Sequence, residues 1–110
     1  MAAQLIFIVW LMEKMVAILN RFSEMFEEIS TWRRDLHAHP ELRFEEYRTA
    51  AFVASKLKEF GVDEIVTGFG GTGVVGVIHG QNNTSGRSIG FRADMDALPI
   101  QEVNDLPHAS

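Results

Sequence analysis

Phe60-Gly61-Val62-Asp63-Glu64-Ile65-Val66-Thr67-Gly68 marks the point where the apolar spacing of the chain changes. Before it, large apolar residues recur every three or four positions. After it, they come in short β-branched runs closed by glycines. The first pattern is that of a helix face and the second that of strands. Gly61 stands where a left-handed helix terminator is expected. Helices followed by strands predict an α/β layer arrangement, begun in this chain and not finished.

Working back from Gly61, the spacing predicts a helix over Phe44–Phe60, with Ala50, Val53, Ala54, Leu57 and Phe60 as its buried stripe. Glu45 and Glu46 fall in its first turn, where negative charge suits the helix dipole. Pro40 separates it from an earlier helix, because the residue before a proline avoids the α region and His39 should be extended. That earlier helix carries Met15, Ile18, Leu19, Phe22, Met25, Phe26, Ile29, Trp32 and Leu36 on one face, which predicts a core-facing helix. It should close near Leu36 or His37, and Ser30-Thr31 should weaken it locally. Working forward, Glu64–Thr67 reads as a short strand, Gly68–Gly73 as a glycine-rich turn and Val74–Ile78 as a buried strand. The polar loop Gly80–Gly86 leads to a last strand, Ser88–Arg92, expected to pair antiparallel with Val74–Ile78. That last strand also expects sheet neighbours the chain does not supply, so the isolated chain should be poorly folded.

The chain has 110 residues, 46% hydrophobic and 23% charged, which is ordinary composition for one small domain. Its 15 acids and 10 bases give a formal net charge of -5. The charge is spread over both halves and forms no basic stripe, so nucleic acid is not an expected partner. The absence of cysteine excludes a disulfide framework and a thiolate zinc site in this chain, and fits a reducing compartment. Leu5–Met12 is a continuous apolar run, but a bilayer span needs roughly 20 apolar residues. It lacks the positive flank and small-residue cleavage site of a signal peptide. It is read as an N-terminal extension, with no membrane partner expected and the cytoplasm as the default location.

Arg92-Ala93-Asp94-Met95-Asp96-Ala97-Leu98-Pro99-Ile100 carries the chemistry. Two carboxylates at i and i+2, where a strand runs out, lie on one side if the backbone stays extended through Met95. One could touch a cation while the other orients a ligand. The surrounding Phe91, Ala93, Met95 and Leu98 make this an apolar place to leave two charges, and Arg92 is expected to be a poor partner for them. His37-Ala38-His39 looks like a ligand pair, yet it straddles a helix end, so the rings should diverge and His37 should serve the last carbonyls. Gly70-Gly71-Thr72-Gly73 resembles a phosphate cradle but has no P-loop lysine and opens onto no helix, which leaves a tight turn. Asn82-Asn83-Thr84 and Asn83-Thr84-Ser85 fit the glycosylation pattern and are read as loop-solvating residues.

Four segments occur in a telling order: His37-Ala38-His39-Pro40-Glu41-Leu42, Phe44-Glu45-Glu46, Gly70-Gly71-Thr72-Gly73-Val74-Val75-Gly76, and Arg92 to Ile100. Together they closely resemble the start of the hippurate hydrolase and N-acyl-amino-acid amidohydrolase branch of the aminoacylase/carboxypeptidase-like metallopeptidases. The indole-acetyl-amino-acid hydrolases are related to this branch. The resemblance covers about Met25 to Ser110. Residues 1–22 are an apolar extension outside it, and residues 23–110 the N-terminal part of a catalytic domain. It implies a three-layer α/β/α metallopeptidase domain, with a lid or dimerisation domain that this chain lacks. The implied activity is hydrolysis of the amide of an N-acyl amino acid, a small-molecule substrate. The implied cofactor is a divalent metal, zinc, manganese or nickel, two per site in the full-length enzyme. A metal of this kind lowers the pKa of bound water and polarises a carbonyl.

The resemblance places the family's main ligands beyond Ser110, in a Cys-Gly-His-Asp motif, a Glu-Glu pair and later histidines. In sibling branches a histidine ligand ends the proline-stopped strand and an aspartate two residues on orients it. Here Asp94 stands at the ligand-like position and Asp96 at the orienting one. No bound metal and no amidase activity are expected of this chain alone, and the full-length enzyme is a candidate homodimer. Two alternatives remain on residues alone. One is a truncated, non-catalytic relative acting as an interaction module through its exposed apolar faces. The other is a magnesium phosphatase that uses Asp-x-Asp as nucleophile and acid.

Overall fold

The computed structural model of the chain describes residues 2–82 and 84–110, with the side chains of the first helix described from Lys14 onward, Ala17 excepted. It divides into two units, Met1–His37 and Ala38–Ser110. The first is essentially one helix, α1 (Ala2–Ala38), 37 residues long. The helix runs unbroken through Ser30-Thr31, where the Thr31 hydroxyl donates to the Glu27 carbonyl at 2.9 Å. Back-bonding of this kind satisfies the hydroxyl without ending the helix. The helix stops two residues before Pro40, as the proline requires. Its apolar face is not the covered one that its spacing predicts: Met15, Ile18, Leu19, Phe22, Phe26 and Ile29 are all exposed. Among the described residues no helix is long and apolar enough to cross a membrane.

In the second unit, α2 (Tyr47–Glu59) packs on a hairpin of β1 (Glu64–Phe69) and β2 (Gly73–Val77). The helix begins three residues later than its apolar spacing suggests. Phe44 holds a φ of 70°, a left-handed value that a bulky residue adopts only under constraint and that cannot begin a right-handed helix. A turn closed by the Glu45 N–H on the Leu42 carbonyl, at 2.9 Å, fixes that bend. Glu45 and Glu46 therefore precede the first turn instead of lying in it.

The far end of α2 closes as expected. The Gly61 N–H bonds the Lys58 carbonyl at 3.1 Å and the Val62 N–H reaches back to the Leu57 carbonyl at 3.1 Å. That is the paired closure of a Schellman motif, and it needs the left-handed φ of 74° that Gly61 supplies. Phe60, the cap residue, lies outside the helical stripe and is exposed, whereas Ala50, Val53, Ala54 and Leu57 are half-buried.

β1 and β2 pair antiparallel with Val66 opposite Val75, and the ladder is irregular between Thr67 and Phe69. Gly76 lets the helix approach. A Cβ there would lie 3.1 Å from Val62 Cγ1 and 3.3 Å from Leu57 Cδ1. The predicted last strand, Ser88–Arg92, is irregular and pairs with nothing among the described residues. The chain does fold back: Gly76, Val77 and Ile78 share the wall of an open hollow of about 570 Å³ with Arg87, Ser88 and Ile89. No ladder forms across it. A third strand at the edge of a two-stranded ribbon gains one row of hydrogen bonds and no covered face, too little to fix its backbone.

Among the described residues no apolar side chain is buried. The three buried residues are polar: Glu46 at 6% exposure, Thr49 at 7% and Thr72 at 7%.

Candidate functional site

The candidate site grows from Glu41. Its carboxylate accepts the Arg48 N–H at 2.9 Å and the Thr49 N–H at 2.7 Å. These are the second and third residues of α2, whose N–H groups have no partner within the helix. A side chain six residues ahead of the helix thus does the work of a cap, while Glu46 at the cap position makes no capping bond with its side chain. The Glu46 carboxylate instead crosses to the hairpin and accepts the Thr72 hydroxyl. Thr72 is the third residue of the Gly70–Gly73 turn, so that turn holds a helix-to-hairpin latch.

Both carboxyls are held below the ordinary value of 4.5. At Glu41, burial pushes upward. The Thr49 and Arg48 N–H groups, the Thr49 hydroxyl and the Arg48 charge together outweigh it. At Glu46, the Thr72 hydroxyl lowers the pKa most, aided by the N–H groups of Glu46 and Phe44, against burial and the nearby Glu41 charge. A group with a depressed folded pKa stabilises the fold above its unfolded value, and that stability is lost as pH falls through the folded pKa. Protection of the α2 amides against hydrogen exchange is therefore expected to hold from neutral pH down to about 4.5 and to fall below it. Glu41→Gln should lower protection at neutral pH by about tenfold, the effect of losing a cap, and flatten the acid limb. An acid limb unchanged in both Glu41→Gln and Glu46→Gln would contradict this.

The same Glu41 receives the Asp-x-Asp segment. Its backbone carbonyl accepts the Ala97 N–H at 2.8 Å, and Leu42 forms a parallel bridge with Ala97. Exposure alternates along this segment: Asp94, Asp96 and Leu98 are exposed, Met95 and Ala97 half-buried. That is the alternation of extended backbone, so the two carboxylates share the outer face. The segment then turns, with the Ile100 N–H on the Leu98 carbonyl at 2.8 Å across Pro99.

Arg92 is the correction. It lies two residues before Asp94, on the same side of an extended chain, and its Nη2 donates to Asp94 Oδ1 at 2.9 Å. Asp94 is 70% exposed, and its surroundings are not the apolar enclosure that Phe91 and Leu98 suggest in sequence, since both of these are exposed too. Spacing would have identified the pair, because i and i+2 share a face in extended chain.

His37 lies in the last turn of α1 and His39 just beyond the helix. Among the described residues, no three His, Cys, Asp or Glu side chains come together as a metal-binding group. The roles of Glu41 and Glu46 went unread in the sequence. A carboxylate followed by two N–H groups seven and eight residues on has no periodic signature. A second pairing, His79 Nε2 with Glu64 Oε1 at 2.8 Å, closes the open end of the hairpin, where the His79 N–H also reaches Asp63 at 2.7 Å.

The chain is 53% identical over 85 residues, 77% of its length, to the hippurate hydrolase of Campylobacter jejuni. It is 47% identical over 87 residues, 79% of its length, to an N-acyl-L-amino acid amidohydrolase of Geobacillus stearothermophilus. It is 40% identical over 86 residues, 78% of its length, to the N-acetyldiaminopimelate deacetylase of Oceanobacillus iheyensis. These matches take up 21%, 23% and 23% of the three relatives, so the chain spans under a quarter of their length. No family model matches the chain, and no solved structure does. Over the residues matched, the chain belongs to the family of hippurate hydrolases and N-acyl-amino-acid amidohydrolases.

Proposed function

We propose that this chain is the N-terminal part of the catalytic domain of a metal-dependent amidohydrolase. Its substrates would be N-acyl amino acids of the hippurate or indole-acetyl-amino-acid kind, and its compartment the cytoplasm. On this reading residues 23–110 begin a three-layer α/β/α domain and residues 1–22 precede it. The supporting observation is the seating of Asp94–Leu98 on Glu41–Leu42, which joins the first and last of the four family segments. It presents Asp94 and Asp96 together on the outer face.

A divalent ion does not fit the described residues alone. Asp94 is engaged by Arg92, and no third ligating group stands beside the two aspartates. Glu41 and Glu46, whose carboxyls are the ones held below the ordinary value, are committed to the helix and the hairpin turn. The chain's part in catalysis is then positional. Glu41 ties the backbone of the Asp-x-Asp segment to α2, and Asp96 offers a carboxylate that can orient a ligand supplied from elsewhere in the enzyme.

The test exchanges the matching segment of the Campylobacter jejuni hippurate hydrolase for residues 25–110 of this chain. The chimera is expected to hydrolyse hippurate or another N-acyl amino acid, while this chain alone with added zinc or manganese does not. A chimera that folds and binds metal but cleaves no N-acyl amino acid would refute the reading. Hydrolysis by the chain alone would refute the positional role.

A further inference from the structure

Phe44 occupies a backbone conformation that suits glycine. Its φ of 70° lies in a region that costs a bulky L-residue free energy and that glycine enters freely. A residue persists there only where its surroundings over-determine it. Here the holding group is the Glu46 carboxylate. It accepts the Thr72 hydroxyl, and it also accepts the N–H of Phe44 and its own N–H. Glu46 and Thr72 are two of the three buried residues of the described chain. The strained residue is thus gripped by a side chain that is itself anchored on the hairpin turn.

The bend has a second end. Glu41–Glu46 is a clip whose last residue is tied to Thr72 and whose first receives the Ala97 N–H on its carbonyl at 2.8 Å. Between them the Glu45 N–H closes on the Leu42 carbonyl at 2.9 Å. That closure spans Phe44, so relaxation of Phe44 out of the left-handed region would open the turn and swing the Glu41 carbonyl off Ala97. We propose that Thr72 is a positioning residue for the reaction: its hydroxyl holds Glu46, Glu46 holds the Phe44 bend, and the bend keeps Ala97, and with it Asp96, in place. Thr72 acts through these contacts and not on the substrate. The proposal rests on the amidohydrolase reading for what Asp96 does, and on geometry alone for the coupling of Thr72 to Ala97.

Two measurements test it, one of them without catalysis. In the whole 110-residue chain, Thr72→Val keeps the shape and removes the hydroxyl. Hydrogen exchange of the Ala97 amide is expected to quicken about tenfold, the order of effect of one lost hydrogen bond to a charged group. Thr72→Ser, which keeps the hydroxyl, should recover most of the protection. So should Phe44→Gly added to Thr72→Val, because glycine holds the bend without the latch. A residue that merely supports the hairpin predicts no such recovery. The Ile65–Val75 amides report whether the hairpin survives; if it does not, Glu46→Ala removes the same carboxylate from the helix side and is rescued by Phe44→Gly in the same way. In the chimera with the hippurate hydrolase, Thr72→Val should lower kcat about tenfold with KM nearly constant, and Phe44→Gly should again restore it. Unchanged Ala97 exchange in Thr72→Val, or no recovery in the double variant, would overturn the proposal. So would a responsive Ala97 amide with an unchanged kcat, which would leave Thr72 a structural residue only. A folded chimera without hydrolysis would instead overturn the amidohydrolase reading and Thr72's place in the reaction with it, while the Ala97 amide would still decide whether the latch holds the bend.

Discussion

Heating the isolated chain is expected to give a gradual loss of structure in α2 and the hairpin, with no cooperative transition. Cooperativity in a small domain comes from a shared apolar core whose members are lost together. Here no apolar side chain among the described residues is buried, and the buried groups are Glu46, Thr49 and Thr72. Ordering a residue costs roughly 1–2 kcal/mol of backbone entropy, and a typical internal hydrogen bond returns only about 0.5–1.5 kcal/mol net. A polar latch and one half-covered helix therefore hold geometry without giving an all-or-none state, and a two-stranded hairpin is marginal by itself. Amide exchange at Ala50–Leu57 and Ile65–Val75 is the right measure, because α1 alone dominates the helical ellipticity. Protection at these amides should be slight and should fade smoothly with temperature. A sharp transition, with uniform protection in both elements, would show that the unit is a complete domain.

In the chimera with the hippurate hydrolase, Asp96→Asn is expected to lower kcat about 10–100-fold while KM stays nearly constant. That loss corresponds to about 1.4–2.7 kcal/mol of transition-state stabilisation. The carboxamide keeps size and exposure but not charge, so an orienting carboxylate is lost while the exposed Asp94–Leu98 backbone is left in place. Asp96→Glu should recover part of the rate. A purely structural residue at this exposed position would move neither value. An unchanged kcat in the Asn variant would remove Asp96 from the mechanism. Asp94→Asn supplies the comparison: it breaks the pair with Arg92, and surface pairs of that kind contribute little to stability. A large kcat loss there would therefore point to contact with the reacting centre.

The parts of the fold that were legible in sequence are those that single residues dictate. Pro40 ended the first helix and Gly61 the second, and the glycines between Thr67 and Val74 turned one strand into the next. The parts that were not legible depend on partners distant in sequence or outside the chain. Ser88–Arg92 has strand composition but no covered face to join. The α1 stripe has core composition yet remains exposed. Periodicity reports which face is apolar, and it is silent about what covers that face. The candidate site divides in the same way. The shared face of Asp94 and Asp96 followed from extended spacing. The grip of Arg92 on Asp94 follows from that spacing too, since residues two apart share a face in extended chain.

Glu41 joins two events that are far apart in the order of synthesis. Its side chain bonds Arg48 and Thr49, which are made soon after it, whereas its backbone carbonyl bonds Ala97, which is made much later. The capped helix can thus exist before any of the Asp-x-Asp segment has been translated, and the late-arriving strand finds its acceptor already aimed. A codon change that slowed translation between Gly61 and Arg92 would lengthen that head start at no cost to the final geometry. A substitution at Glu41 would remove it, leaving only the backbone bond to Ala97 to be made, on a helix that has lost its cap.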